Sequence, residues 1–391
     1  MIKLAKRVEQ LEMSPTVAVS QEAQRLRAEG REVIDFGAGE PDFDTPRAAQ
    51  EAAVQAIRDN LSHYTPTAGL APLRAALAER YRRRCGVEVT PEEIFISAGG
   101  KMVLYTLIQA LIEPGDRVLL ASPYWVSFPE QVRLAGGEPV IVPAFEEDDF
   151  VPRAAAFESR LDARTRVIIL NSPGNPTGTV IPKDEIERFV ELCRARDLVL
   201  VFDECYEEFV YAPRRHETPL RQRERLGERL VVAGSCSKTF AMTGWRVGYG
   251  LAAPPVVRAL NKLQSHTITH ASNAAQAAAV AALGTEEESV PAMLREYEKR
   301  RAVMLGGLRR LPGVVCREPH GAFYAFPNVT GLYARLGVKD SLGVARQFLE
   351  RAEVATVPGE AFGAPGYLRL SYALAEGPLA RGLERLRKLL G

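Results

Sequence analysis

The chain has 391 residues, two to three times the usual domain length of about 150, so one large domain with a smaller companion is expected. Hydrophobic residues make up 46% and charged residues 25%, the balance of an ordinary globular protein, and a chain of this length needs no disulfide or metal to hold its core. With 50 Lys and Arg against 49 Asp and Glu, it lacks the electrostatic footprint of a nucleic-acid or membrane-surface binder, although a neutral total can hide a basic pocket.

The first residues, Met1 to Arg7, are charged and lack the apolar core of a signal peptide, and no apolar run approaches a membrane span. Cys85, Cys193, Cys205, Cys236 and Cys316 form no CxxC pair, which suggests free thiols and a cytoplasmic location. His266 and His270 are four apart but lack the Glu of a zinc-protease helix, so no metal is expected. Short β-rich runs then alternate with longer helical patterns, the mark of an α/β domain with a mostly parallel sheet. The predicted strands are 94–97, 117–121, 139–142, 167–171, 198–203, 230–234 and 247–251, with helices at 101–112, 125–135, 183–196 and 255–263 between them. From Glu286 the pattern changes to a long amphipathic segment (286–310), short strands near 323–326, a helix (341–352), a strand (367–372) and a last helix (377–390). The expected organisation is an N-terminal arm and part of a small domain (1–45), a large domain (46–285) and a small C-terminal α+β domain (286–391).

Sites in open parallel sheets lie beyond the carboxyl ends of the strands, and four such ends here carry unusual chemistry. Ala98-Gly99-Gly100-Lys101 opens a helix, and its glycines can turn N–H groups toward an anion at a helix N-terminus. It is neither a Walker A loop nor a dinucleotide fingerprint. Asn171-Ser172-Pro173-Gly174-Asn175-Pro176-Thr177-Gly178 follows the second of these strands and would be a turn in any fold. A third strand ends in Asp203, a carboxylate that needs a partner if buried. The fourth runs into Ser235-Cys236-Ser237-Lys238, with Arg246 eight positions after the lysine.

Together, Lys238 in Ser-x-Ser-Lys…Gly-x-Arg-x-Gly, Asn175 in Asn-Pro-Thr-Gly, and Asp203-x-x-Tyr206 resemble the class I aminotransferases, pyridoxal-phosphate enzymes of the aspartate aminotransferase fold. The resemblance covers nearly the whole chain, from Thr16-Val17 and the Gly37–Phe43 segment to Tyr367-Leu368-Arg369-Leu370-Ser371. It implies fold type I: a mostly parallel seven-stranded sheet in a large pyridoxal-phosphate-binding domain, with a smaller α+β domain. It also assigns roles. Lys238 would join the cofactor's aldehyde and then shuttle the substrate's proton; Asp203 would keep the ring nitrogen protonated; Tyr206 and Asn175 would donate to the ring oxygen. Gly99, Gly100, Lys101, Ser235 and Arg246 would hold the phosphate, with Tyr64 reaching over from a second subunit, so a homodimer with shared sites is implied. Trp125 would stack on the ring, and Arg369, Gly39 and Asn175 would receive the substrate's α-carboxylate.

One bacterial branch of aspartate aminotransferases reads the distal carboxylate with a Lys in the Gly-Gly-Lys turn and a Thr near the N-terminus; Lys101 and Thr16 stand in those places. The resemblance therefore implies ping-pong transamination of L-aspartate with 2-oxoglutarate. Some members also take prephenate, using a basic residue where this chain has Glu12, which argues against that activity; Pro15 is a further difference. The alternatives are another amino donor (aromatic, alanine or kynurenine), a pyridoxal-phosphate β-lyase or decarboxylase, or a non-catalytic sensor of the same fold.

Overall fold

The alternation of strand and helix builds one large sheet and two small ones. The structure is a computed structural model that describes residues 2–9, 11 and 15–391, and of residues 15–17 and 20 the backbone alone. Among the described residues the strands are, in chain order, β1 (Ile34–Asp35), β2 (Ile94–Ser97), β3 (Arg117–Ser122), β4 (Glu138–Pro143), β5 (Thr165–Asn171) and β6 (Val199–Asp203). There follow β7 (Leu230–Ser235), β8 (Gly248–Leu251), β9 (Tyr324–Ala325), β10 (Val354–Ala355), β11 (Val357–Pro358) and β12 (Leu368–Ser371).

Strands β2 to β8 form the seven-stranded sheet, in the order β2-β8-β7-β6-β5-β3-β4. Neighbours run parallel except at β8, which is antiparallel to both β2 and β7. The strands are apolar almost throughout because both faces are covered. Alternate side chains go to opposite cores: Leu119, Ile168, Leu200 and Val232 to one, Val118, Val167, Val201 and Val231 to the other. All seven predicted strands are present, with their ends moved by at most two residues.

Three helices outside the predicted set complete the large layer: Arg47–Arg58, Ala71–Cys85 and Asn273–Gly284. Ala49, Ala53 and Ala56 on the first, and Ala275, Ala278, Ala279 and Ala282 on the third, are buried, and their small size lets these two helices pack closely. The Ala71–Cys85 helix starts with Pro72 in its first turn and stops at Gly86, whose φ of 66° closes it.

Outside the large sheet, β11-β12-β9 form an antiparallel sheet and β1 pairs parallel with β10. The helices Glu286–Leu308, Ser341–Ala352 and Glu376–Leu390 pack there, and a Cβ at Gly307 would sit 2.5 Å from the Leu383 side chain, so the first and last meet closely. Beneath the carboxyl ends of the large sheet lies a buried ionic cluster. Arg80 donates to Glu286 at 2.7 Å, to Glu207 at 3.0 Å and to Glu208, and Tyr81 donates to Glu204 at 2.7 Å. Among the described residues no helix is long and apolar enough to cross a membrane.

Candidate active site

A cavity of about 480 Å³ opens at the carboxyl ends of β2, β3, β5, β6 and β7, and the small sheet contributes Tyr324 and Arg369 to its wall. One end is built for an anion. Gly99, with a φ of 85°, caps the helix Gly100–Leu111, and among the described residues the N–H groups of Gly100 and Lys101 have no backbone partner. Arg246 lies across this turn, donating to the Thr243 carbonyl at 2.7 Å, so close that a Cβ at Gly99 would stand 2.3 Å from its guanidinium. Behind it, a Cβ at Gly248 on β8 would stand 2.2 Å from the Gly100 nitrogen; a side chain there has no room. Ser235 completes this end, its hydroxyl accepting from the Ser237 N–H at 3.1 Å and donating to Ser237 Oγ at 2.8 Å.

The floor carries an acid and an amine. Asp203 is 5% exposed and pairs in register with Asn171, whose Nδ2 donates to the Asp203 carbonyl at 3.0 Å. Burial pushes its carboxyl up to about 6, against the N–H of Cys205 on Oδ1 at 3.0 Å, which favours the charged form. Lys238 projects from a single helical turn, Cys236–Thr239, capped by Ser235. Its Nζ donates to the Gly39 carbonyl at 2.6 Å, and burial brings the amine down to about 8. Thr243 donating to Glu40 at 2.7 Å, and Thr45 donating to the Ala241 carbonyl at 2.7 Å, hold residues 39–45 over the lysine turn.

The opposite wall is cationic. Arg369 on β12 is 3% exposed, donates from Nη2 to the Gly37 carbonyl at 2.6 Å and from Nη1 to Asn175 Oδ1 at 3.1 Å, and lies 4.5 Å from the Tyr324 ring centroid. Its Nε is buried, and among the described residues it has no hydrogen-bond partner. Tyr206 is buried, its hydroxyl 2.8 Å from that of Tyr324. Lys101 lines the cavity 5.2 Å from the Trp125 ring; enclosure by the walls, with Arg246 nearby, lowers its pKa, and among the described residues no carboxylate pairs with it.

The model of the family "aminotransferase class I and II" matches residues 31–386. The chain belongs to that family. It is 41% identical to the probable aspartate/prephenate aminotransferase of Aquifex aeolicus, over 99% of this chain and 98% of the relative. It is 38% identical to the aspartate aminotransferase of Bacillus subtilis, over 100% and 99% respectively. The solved aspartate aminotransferase of Thermus thermophilus with maleate superimposes with a TM-score of 0.94 at 39% identity, covering 100% of both chains. The protein is thus an aminotransferase of fold type I, and its chemistry is transamination.

In this aminotransferase the cavity brings together Lys238, Asp203, Tyr206, Asn175, Gly100, Lys101, Trp125, Ser235, Arg246, Gly39 and Arg369, from segments more than 300 residues apart in sequence. Gly99 sits at its edge, beneath Arg246. Tyr64 does not line it: the ring is 88% exposed and stands edge-on to His270 at 5.9 Å. Thr16 falls in the helix Pro15–Ala28, but its side chain and that of Pro15, together with Glu12, lie outside the described residues. Sequence reasoning missed Asn171, Tyr324, Gly37, Gln21 and Gln24, which also line the cavity. Asn171 lay within the quoted turn and Tyr324 within a predicted strand; the two glutamines carry no motif.

Proposed function

We infer that the enzyme binds pyridoxal 5′-phosphate and transfers the amino group of L-aspartate to 2-oxoglutarate by a ping-pong mechanism. The residues present fit that cofactor. Arg246, the helix N-terminus at Gly100 and Lys101, and the Ser235 hydroxyl suit its phosphate dianion. Asp203, a buried carboxylate with no cation at ion-pair distance among the described residues, suits a protonated ring nitrogen: a positive N–H beside it would lower the cost of keeping it charged. Lys238 offers an amine near neutrality to the aldehyde, and Tyr206 and the Nδ2 of Asn175, which has no acceptor among the described residues, would donate to the ring oxygen. When bound, the cofactor supplies the electron sink for the charge left as the substrate's Cα loses its proton. Lys238, freed as an amine, would take that proton and return it.

The observation that carries the substrate reading is the pair of cations, Arg369 and Lys101, that face one cavity with no carboxylate on either among the described residues. The planar guanidinium, whose Nε has no partner among the described residues, suits the α-carboxylate, and the ammonium across the cavity suits a second one, so a dicarboxylic amino acid fits. The maleate in the Thermus structure is a dicarboxylate, which supports the same reading. A panel of amino donors against 2-oxoglutarate tests it: kcat/KM should be highest for aspartate, and a higher value for alanine, kynurenine or an aromatic donor would overturn it.

The high exposure of Tyr64 supports a homodimer in which this residue of one subunit would complete the phosphate end of the other's site. In this reading residues 1–45 form an N-terminal arm and part of the small domain, 46–285 the large domain and 286–391 the small C-terminal domain, and the free cysteines of the chain suit a cytoplasmic setting.

A further inference from the structure

β5 and β6 run side by side, and their last residues, Asn171 and Asp203, stand opposite each other in register. The Asp203 carbonyl accepts from the Ser172 N–H at 3.0 Å and from Asn171 Nδ2 at 3.0 Å. Asn171 Oδ1 in turn accepts from the backbone N–H of Asn175 at 2.9 Å. A carbonyl can only accept and a backbone N–H can only donate, so these two partners leave the amide one orientation. Asn175 then receives Arg369 on its own Oδ1 at 3.1 Å, and Arg369 reaches the Gly37 carbonyl at 2.6 Å. A series of hydrogen bonds through residues 203, 171, 175 and 369 thus joins the floor acid to the small sheet, and the Asn171 amide is its first link.

The geometry points to Asn171 as a positioning residue that holds Asp203 and Asn175 at a fixed separation, so that each meets its own edge of the cofactor ring. The inference rests on the cofactor reading above, in which Asp203 faces the ring nitrogen and Asn175 the ring oxygen. Asn171 lines the cavity, yet both polar atoms of its amide are bonded to protein. A turn at 171–175 needs only the acceptor, which aspartate or serine would also supply. The donor on the other side is what reaches the acid's strand, and among side chains of this length only asparagine carries both. The Cys205 N–H holds the Asp203 carboxylate from its own chain, at 3.0 Å, while Asn171 holds the Asp203 backbone from the neighbouring strand. Movement of the Asn175 turn is thereby tied to movement of the acid.

The test uses Asn171→Thr, loaded with pyridoxal phosphate. Threonine suits a strand end, and its one hydroxyl stands about where the amide carbon was, short of both partners. Ser172→Ala is the control: it removes the hydroxyl that accepts from the Ile181 N–H at 3.0 Å, loosening the same turn while leaving Asp203 and Asn175 bonded to Asn171. The readouts are the unfolding midpoint, kcat, and the pH midpoint of the bound cofactor's absorbance. A protonated ring nitrogen and donors to the ring oxygen both make the nitrogen joined to Lys238 less basic, so displacing Asp203 and Asn175 should raise that pH midpoint. Asn171→Thr should raise it by about half a pH unit and lower kcat about 10-fold, the size of a lost hydrogen bond. Asn171→Ala, which also loses both contacts, should give the same shift. Ser172→Ala should lower the unfolding midpoint and leave the pH midpoint where it was. An unmoved pH midpoint in both Asn171 variants, or an equal shift in Ser172→Ala, would make Asn171 a turn residue and nothing more. A wild-type enzyme that gains no absorbance with pyridoxal phosphate would overturn the cofactor reading, and this inference with it.

Discussion

Arg369 and Asn175 are joined side chain to side chain, Nη1 to Oδ1 at 3.1 Å, so the guanidinium that would receive a substrate carboxylate also orients the amide beside it. A lysine at 369 would lose the planar fork and release Asn175 together. Arg369→Lys should lower kcat/KM about 10- to 100-fold for every donor, acidic or apolar, the range expected for a lost hydrogen bond to a charged group. Steady-state kinetics with aspartate and alanine check this; a loss confined to aspartate would place Arg369 at the distal carboxylate instead.

Asp203 reaches its environment through charge more than shape. Asp203→Asn keeps the volume and the acceptor for the Cys205 N–H but cannot hold a ring proton by charge. The variant should retain cofactor through dialysis, read by absorbance, and lose about 100-fold or more in kcat. A kcat near that of the wild type would remove Asp203 from the chemistry.

Burial sets the pH behaviour of Lys238. Its amine stands at about 8, below the ordinary 10.5, and the neutral form is the nucleophile. The rate at which cofactor-stripped enzyme reacts with pyridoxal phosphate should therefore rise with pH and level off above about 8. A rate still climbing beyond pH 10 would mean an amine with its ordinary proton affinity.

Lys101 has a test of its own. Lys101→Ala removes the ammonium beside Trp125 but leaves the backbone turn. The kcat/KM should fall about 10- to 100-fold for aspartate and little for alanine. Equal losses would assign Lys101 to the cofactor end.

The ionic cluster below the site bears on stability. Arg80 is the hub for Glu207, Glu208 and Glu286, all buried. Arg80→Ala leaves Glu207 without its cation, while Arg84 still pairs with Glu208 and Glu286, and should cost about 3–5 kcal/mol, read as a lower denaturant midpoint. Glu207, already pushed up to about 7 by burial, would take up a proton first in that variant.

The strands of the large sheet were legible because burial on both faces makes each a short apolar run ending in a polar residue, as in Leu198–Asp203. The helices Arg47–Arg58 and Asn273–Gly284 were not: alanine dominates their buried faces, and alanine marks no side as inward. β1 and β10, at two residues each, are too short to show a period, and only their pairing defines them. Within the cavity, residues that belong to a motif were visible, whereas Tyr324 joins it through contacts with Tyr206 and Arg369 that arise only when distant segments meet.

The close approach of Gly248 to Gly100 divides the cavity into two ends of unequal tolerance. At the anion end even one methyl has no place to go, so substitutions there would break the pocket before they could reshape it. The Pro15–Ala28 helix, by contrast, lines the cavity with two exposed glutamines, Gln21 and Gln24. A library built to retarget this enzyme to new amino donors should spend its diversity on that helix and leave β8 untouched.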